Sequence, residues 1–110
     1  MYRISLIINE IYNKYLPLAE EAGITLNLDF PDPTIETKNT TKLKQKLDRS
    51  LSSALERTYD GEISISVHKD RITITDTGTR LSEPACALLS GDRVQVVSED
   101  KTGTTVTILF

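Results

Sequence analysis

The sequence lacks the residues and segments that mark several special classes of protein. Tryptophan is absent, and cysteine and histidine each occur once in 110 residues, so an internal disulfide is excluded and a zinc site is not supported. No apolar run approaches the roughly 18 residues of a membrane span, and no signal peptide opens the chain. We therefore expect a cytoplasmic protein that makes no membrane contact of its own.

The charge excludes a further class of partner. The formal net charge is −3, and the basic residues are scattered along the sequence, which leaves no electrostatic footprint for nucleic acid. With 38% hydrophobic and 26% charged residues, the composition is that of an ordinary soluble domain. The length predicts one domain over residues 1–110 that needs no metal or disulfide for its stability.

The single cysteine and the single histidine are not predicted to be catalytic. Cys86 has apolar neighbours and is expected to be a small buried residue, because no base is fixed near it by the sequence. His68 lies in a polar segment that we interpret as the exposed tip of a hairpin. Neither residue is assigned to a metal site.

Hydrophobic periodicity predicts two main helices. Apolar residues recur at spacings of three and four over residues 5–22, where Gly23 ends the helix and Pro17 is expected to kink or split it. A second helix, capped by Asn39, should reach about Arg57, with leucines four residues apart on its buried face.

Alternation of apolar and polar residues predicts the strands. They are expected at residues 24–30, 63–67, 72–75, 94–96 and 106–110, with a short strand at 34–37 and a short helix at 82–89. This order predicts an α+β fold, a two-layer sandwich of four or five largely antiparallel strands. Both main helices should lie on one face of the sheet, and its other face should be more polar.

The segment from residue 71 to residue 81 contains the most informative residues. Ile72 and Ile74 point to one face of a strand that carries Asp76 at its end, where a carboxylate can accept a hydrogen bond from an exocyclic amine. Gly78 lets the backbone approach a flat ligand closely. On its own, Asp-x-Gly after a strand is also typical of an ordinary turn. Other segments must therefore show whether this one belongs to a nucleotide site.

Five segments, in order, resemble the ATP-binding domain of sensor histidine kinases, which is related to DNA gyrase, Hsp90 and the MutL proteins. Residues 18–26 resemble the family's entry helix and first strand, and residues 45–58 its Asn-containing helix. Asp76-Thr77-Gly78 matches the start of the "D-x-G-x-G" box. Residues 90–98 and 103–108 resemble the closing strands. The resemblance implies the histidine-kinase-like ATPase fold and a role in two-component signal transduction.

The resemblance also implies a residual base site. In the family, the carboxylate at Asp76 accepts from the adenine amine, and the glycine at Gly78 leaves room for the base. Thr105, in the closing strand, is the third residue expected to contact the base. ATP or ADP is therefore a possible weak ligand of this site.

The magnesium and phosphate positions depart from the family pattern. Ser53 replaces the magnesium-binding Asn, and its hydroxyl reaches less far than an amide carbonyl. Arg49 replaces the neighbouring Asn, and Glu56 replaces a Lys, which inverts the local charge. Arg80 replaces the second glycine of the box. The resemblance therefore assigns no metal site to this chain.

The interval between Leu81 and Gly91 is too short for the family's phosphate-binding machinery. Its nine residues leave no room for a lid and a glycine-rich segment whose amides would hold the triphosphate. The helix that carries the phospho-accepting histidine is absent too. Phosphoryl transfer depends on positioning those phosphates, so no catalytic residue is assigned.

Three functions follow from these observations. The leading hypothesis is a reduced, catalytically inactive pseudokinase domain that keeps an adenine pocket and acts in regulation. The alternative is a protein-interaction module whose plugged pocket binds no nucleotide. An active kinase would need a phosphate site from another chain. Under the first two hypotheses the partner is a protein or a longer parent sensor.

The buried carboxylate at the strand end leads to one structural prediction. Because an unpaired buried charge is costly, we predict that Arg80 fills the space of the lost glycine and pairs with Asp76, or with Glu56 across the pocket mouth. The competing interpretation is that Arg80 points outward as a solvated turn residue.

Overall fold

The computed structural model describes residues 2–32, 34–38, 40–58, 61–78, 90–91, 93–99 and 103–110. The elements in these residues are β1 (Tyr2–Arg3), α1 (Ile4–Glu21), β2 (Thr25–Asp29), β3 (Glu36–Thr37), α2 (Thr40–Arg57), β4 (Glu62–Val67), β5 (Arg71–Asp76), β6 (Val94–Glu99) and β7 (Gly103–Leu109). The helix predicted at residues 82–89 and the cap predicted at Asn39 lie outside the described residues.

The main sheet has five strands in the order β2-β4-β5-β7-β6. β2 runs parallel to β4, and the other neighbours are antiparallel. The parallel pair is connected through α2, as parallel neighbours require a crossover. β1 pairs with β3 in a separate two-stranded sheet. The predicted mixed, mostly antiparallel sheet is confirmed, whereas β1 is too short to leave a periodic signal.

Both helices pack on one face of the main sheet. α1 contacts α2 and β2, and α2 contacts β5 and β7. Between them lies an aliphatic core whose largest fully buried side chains are Ile4, Ile8, Ile11, Leu47, Leu51, Ile63, Ile65, Ile72, Ile74 and Ile108, with Val67 and Val106. Each such side chain contributes about 1.5–3 kcal/mol of hydrophobic stabilisation. The predicted two-layer sandwich is therefore confirmed.

The other face of the sheet is polar, as predicted. Alternate residues of β4, β5 and β7 on this face are serines and threonines, whereas their sequence neighbours are buried. The residues on this face are Ser64, Ser66, Thr73, Thr75, Thr105 and Thr107. Since these side chains are exposed or half-buried, the face needs no second layer to be stable in water.

Of the two outcomes expected at Pro17, a kink or a split, the split does not occur, because α1 continues through Pro17 from Ile4 to Glu21. Proline leaves the carbonyl four residues earlier without its donor. That residue is Asn13, and both Asn13 and Pro17 are exposed, so water can hydrate the carbonyl. Gly23 ends the helix as predicted, with a φ of 72° that favours glycine.

Three side chains, which we call the helix clamp, join the two helices. The Tyr15 hydroxyl donates to the Asp48 carboxylate and lies 3.0 Å from the Asp48 carbonyl oxygen. Lys14 Nζ donates to Asp48 Oδ1 at 2.8 Å. Burial and the bond to Asp48 raise the pKa of Tyr15, and the bonds from Lys14 and Tyr15 lower the pKa of Asp48.

Candidate functional site

Asp76 is buried at the end of β5. It follows Ile72 and Ile74 on the face of the strand that points towards the helices, and only 1% of its surface is exposed. The alternation of the strand dictates this placement, since residues two apart share a face. A carboxylate at this depth requires donors from the protein or from a ligand.

The donors come from the protein itself. Arg57, the last residue of α2, reaches Asp76 with Nη2 at 3.0 Å from Oδ2 and Nη1 at 3.3 Å from Oδ1. The backbone amide of Gly78 donates to Oδ1 at 2.9 Å. Both carboxylate oxygens therefore accept hydrogen bonds within the chain, in the two-pronged geometry that makes arginine–carboxylate pairs strong.

Two hydroxyl groups fix the position of the guanidinium. Nε of Arg57 lies 3.3 Å from Ser53 Oγ, and Nη1 lies 3.0 Å from Thr104 Oγ1. Thr104 Oγ1 in turn lies 2.7 Å from Ser98 Oγ. The Arg57 side chain is 12% exposed. α2 and three strands thus hold one polar network, which we call the Arg57 network.

Gly78 packs against the end of α2. A Cβ built on Gly78 would lie 2.6 Å from the carbonyl oxygen of Arg57 and 2.7 Å from Thr58 Oγ1, closer than real Cβ contacts. The missing side chain therefore makes room for α2 in this structure. Thr58 Oγ1 is buried and has no hydrogen-bond partner among the described residues.

The structure does not bring Thr105 to the other predicted base-contacting residues. It pairs with Thr75 and Val97, and those two side chains are exposed on the polar face. Thr104 is the threonine opposite Asp76. Thr105 therefore lies on the opposite face of the sheet from Asp76, because a shift of one residue along a strand reverses the face.

Asp76 has an arginine partner that the sequence analysis did not name, Arg57. Arg80 lies outside the described residues, and so does its predicted pairing with Asp76 or Glu56. Sequence reasoning missed Arg57 because it falls at a variable position of the resembled motif. The available signal was its spacing, since Arg49, Ser53 and Arg57 lie four residues apart on one stripe of α2.

The remaining altered positions do not converge on a phosphate site. Ser53 is half-buried and engaged by Arg57. Glu56 and Arg49 are exposed, and Arg49 lines a cavity with Ser50 and Val94 that Asp76 does not line.

Across the described part of the chain, no three His, Cys, Asp or Glu side chains cluster as metal ligands. No helix in that part is long and apolar enough to cross a membrane.

The mixed sheet with two helices on one face is the fold of the catalytic domain of sensor histidine kinases. The nucleotide-free catalytic domain of histidine kinase ThkA matches with a TM-score of 0.76 at 14% identity, over 96% of this chain and 91% of that one. The cytoplasmic segment of histidine kinase QseC matches with a TM-score of 0.78 at 14% identity, over 98% of this chain and 74% of that one. The resemblance predicted from sequence is thereby confirmed at the level of the fold.

A further match is histidine kinase ThkA in complex with the response regulator protein TrrA, with a TM-score of 0.69 at 16% identity. It covers 98% of this chain and 40% of that one. No known family profile matches the sequence, and no curated protein sequence matches it.

Proposed function

We propose that this chain is a non-catalytic, cytoplasmic signalling domain of the histidine-kinase type that acts through protein contacts, with its base-recognising carboxylate closed by Arg57. One observation carries the proposal: Asp76 is 1% exposed and both of its oxygens accept from the chain itself. This is the protein-interaction module that the sequence analysis gave as the alternative function, with Arg57 as the residue that closes the pocket.

Adenine binding at Asp76 would have to displace Arg57. A base amine needs a carboxylate lone pair that faces an open space, whereas here the guanidinium occupies both oxygens. Separating a buried ion pair costs about 3–5 kcal/mol when one partner is left uncompensated. That cost corresponds to a loss of about 10²- to 4 × 10³-fold in affinity. We therefore expect adenine nucleotides to bind weakly or not at all.

Phosphoryl transfer is not expected for a second, independent reason. The Ser53 hydroxyl, which stands where the resembled family has its magnesium ligand, lies within hydrogen-bond distance of Arg57 Nε. It is therefore part of the Arg57 network and is already engaged by a cation. Together with the short interval after Gly78 in the sequence, this leaves the triphosphate without a metal clamp or an amide cradle.

The partner that fits this proposal is a protein of a two-component pathway. The histidine-kinase fold occurs with a response regulator in the solved complex of ThkA. A domain that keeps this fold and a closed base site still offers its surfaces for docking. Regulation by binding, rather than by catalysis, is then the role of the chain.

Calorimetric titration with ATP, ADP and adenosine, each with and without magnesium, tests the proposal. We expect no saturable binding of any of them below millimolar concentration by the unaltered protein. Arg57→Ala should gain adenosine binding, whereas Arg49→Ala, which removes an exposed arginine two turns earlier in α2, should not. Micromolar binding of Mg-ATP, or any autophosphorylation, by the unaltered protein would contradict the proposal.

A second candidate function is weak, magnesium-independent sensing of adenine. The observation that favours it is that Arg57 is more exposed than the carboxylate it covers, at 12% against 1%, so a ligand can reach the guanidinium first. ATP, ADP and adenosine should then bind about equally, because they share only the base. Equal millimolar affinities would support this candidate, and no binding at all would exclude it.

A further inference from the structure

Six basic side chains, four of them within residues 38–49, line two adjoining cavities beside the N-terminal half of α2. The cavities measure about 440 and 280 Å³ and share Lys42 and Lys46. We call them together the basic groove. Its cations are Lys38, Lys42, Lys46, Arg49, Lys69 and Arg93. The fold therefore brings Lys69 and Arg93 beside the basic residues of α2 and of the segment before it.

The charge of the groove is opposite to that of the rest of the molecule. The described residues of its lining include six cations and two carboxylates, Glu36 and Asp70, whose charges sum to +4. Because the whole chain carries −3, all other residues together carry −7. Lys42 and Lys46 also interact with other groups of the chain, so the attraction comes from the summed charge of the lining. Such segregation steers an anionic partner to one face.

Three separate elements fix the groove. α2 presents Lys42, Lys46 and Arg49 at spacings of four and three, which places them on one face of the helix. Lys69 lies in the turn between β4 and β5. Arg93 precedes β6 with a φ of 60°, and its carbonyl accepts from the Leu109 amide at 2.8 Å. A positive φ at a non-glycine residue is strained and occurs preferentially at functional sites.

The groove also has an apolar part. Leu43 is 3% exposed beneath it, and the partly buried Leu109 and Phe110 line the larger cavity. Four of the six cations are lysines, which act as point charges and do not provide the planar stacking surfaces that nucleic-acid sites use. A ligand with carboxylates and aliphatic side chains suits this lining better than a polynucleotide does.

We infer that the basic groove binds an acidic segment of a protein partner, one that alternates carboxylate and aliphatic side chains. The inference rests on the proposed role of the chain as a protein-binding domain and names the surface and the chemistry of the partner. It does not involve Asp76 or the Arg57 network.

Fluorescence anisotropy with a labelled peptide of alternating Glu and Leu tests the inference. Two reference peptides replace Glu by Gln or by Lys, and a labelled single-stranded DNA of similar length represents a nucleic-acid ligand. We expect the Glu peptide to bind more tightly than both reference peptides and than the DNA. Its binding should weaken as the salt concentration rises.

Two double variants with the same loss of charge locate the binding. Lys42→Gln with Lys69→Gln should weaken binding of the Glu peptide about five- to tenfold, from the usual contribution of exposed charge pairs. Arg3→Gln with Lys44→Gln, which removes two cations that line a different depression of the surface, should change it less than about twofold. Circular dichroism checks that both variants are folded.

Several results would overturn the inference. The first is that the Glu peptide does not bind, and the second is that it binds no more tightly than the Gln peptide. The third is that both double variants lose the same affinity for the Glu peptide. Tighter binding of the DNA, with the loss confined to the groove variant, would replace the acidic peptide by a nucleic acid. The nucleotide titration reports on Asp76 alone, so its outcome and that of the peptide assay are separable.

Discussion

Replacing Arg57 by alanine should destabilise the fold far more than replacing any exposed arginine. The change leaves Asp76, at 1% exposure, with the Gly78 amide as its donor among the described residues. It also removes the donor to Thr104 at 3.0 Å. Breaking a buried ion pair from one side costs about 3–5 kcal/mol. Since the Arg57 side chain is 12% exposed, we take the lower end, about 3 kcal/mol.

A loss of this size is a large part of the stability of one domain, which is about 5–15 kcal/mol. For a chain of this length it should lower the melting temperature by about 10–15 °C. Urea denaturation followed by circular dichroism measures the free energy directly. Arg49→Ala is the matched control, because Arg49 is exposed on the same helix, and its effect should stay within about 0.5 kcal/mol.

A double variant separates the cost of the unpaired charge from the value of the pair. Arg57→Met with Asp76→Leu removes both charges and restores apolar volume, so it should be more stable than Arg57→Ala alone. Together with the single variants Arg57→Met and Asp76→Leu, it gives the interaction energy of the pair. If Arg57→Ala unfolds no earlier than Arg49→Ala, Arg57 does not pair with a buried carboxylate and the reasoning fails.

Three further predictions concern the surroundings of the site. Thr104→Val should destabilise the protein by about 1 kcal/mol through the lost bond to the guanidinium, while Thr105→Val on the polar face should change thermal stability little. Gly103→Ala should be strongly destabilising in urea, because its Cβ would lie 1.9 Å from a backbone oxygen at a φ of 84°, whereas Gly91→Ala meets nothing within 4 Å. The lowered pKa of Asp48 in the helix clamp contributes stability above the unfolded pKa, near 4, and that contribution disappears as the pH falls through the folded value. The free energy of unfolding of Asp48→Asn should therefore differ from that of the unaltered protein at pH 7. The two should converge as the pH falls below the folded pKa of Asp48, and a difference that stays constant with pH would contradict this assignment.

The sandwich could be predicted from sequence because its helices and long strands carry strong periodic signals. Ile72, Ile74 and Asp76 alternate in the sequence and share one face in the fold. Whether Pro17 splits the helix could not be decided from sequence, because its effect depends on whether the freed carbonyl meets water, which is a property of the packed helix. The two residues of β1 carry no period at all.

Only part of the candidate site could be predicted from sequence, because the rest depends on how the elements pack. Asp76 and Gly78 follow one strand, so local sequence places them together. Arg57 reaches them from 19 residues away in the chain, and this contact depends on how α2 crosses the sheet. The choice between Thr104 and Thr105 depends on strand register, which a single residue reverses.

Side-chain NMR of the arginines during addition of adenosine tests the closed base site most directly. The Arg57 Nε–H resonance, assigned by its loss in Arg57→Ala, and the Gly78 amide resonance both report on donors at or beside the Asp76 carboxylate. If Arg57 closes the base site, neither resonance should shift up to millimolar adenosine. Saturable shifts of both at micromolar adenosine would show that the base reaches Asp76, and would contradict the closed site.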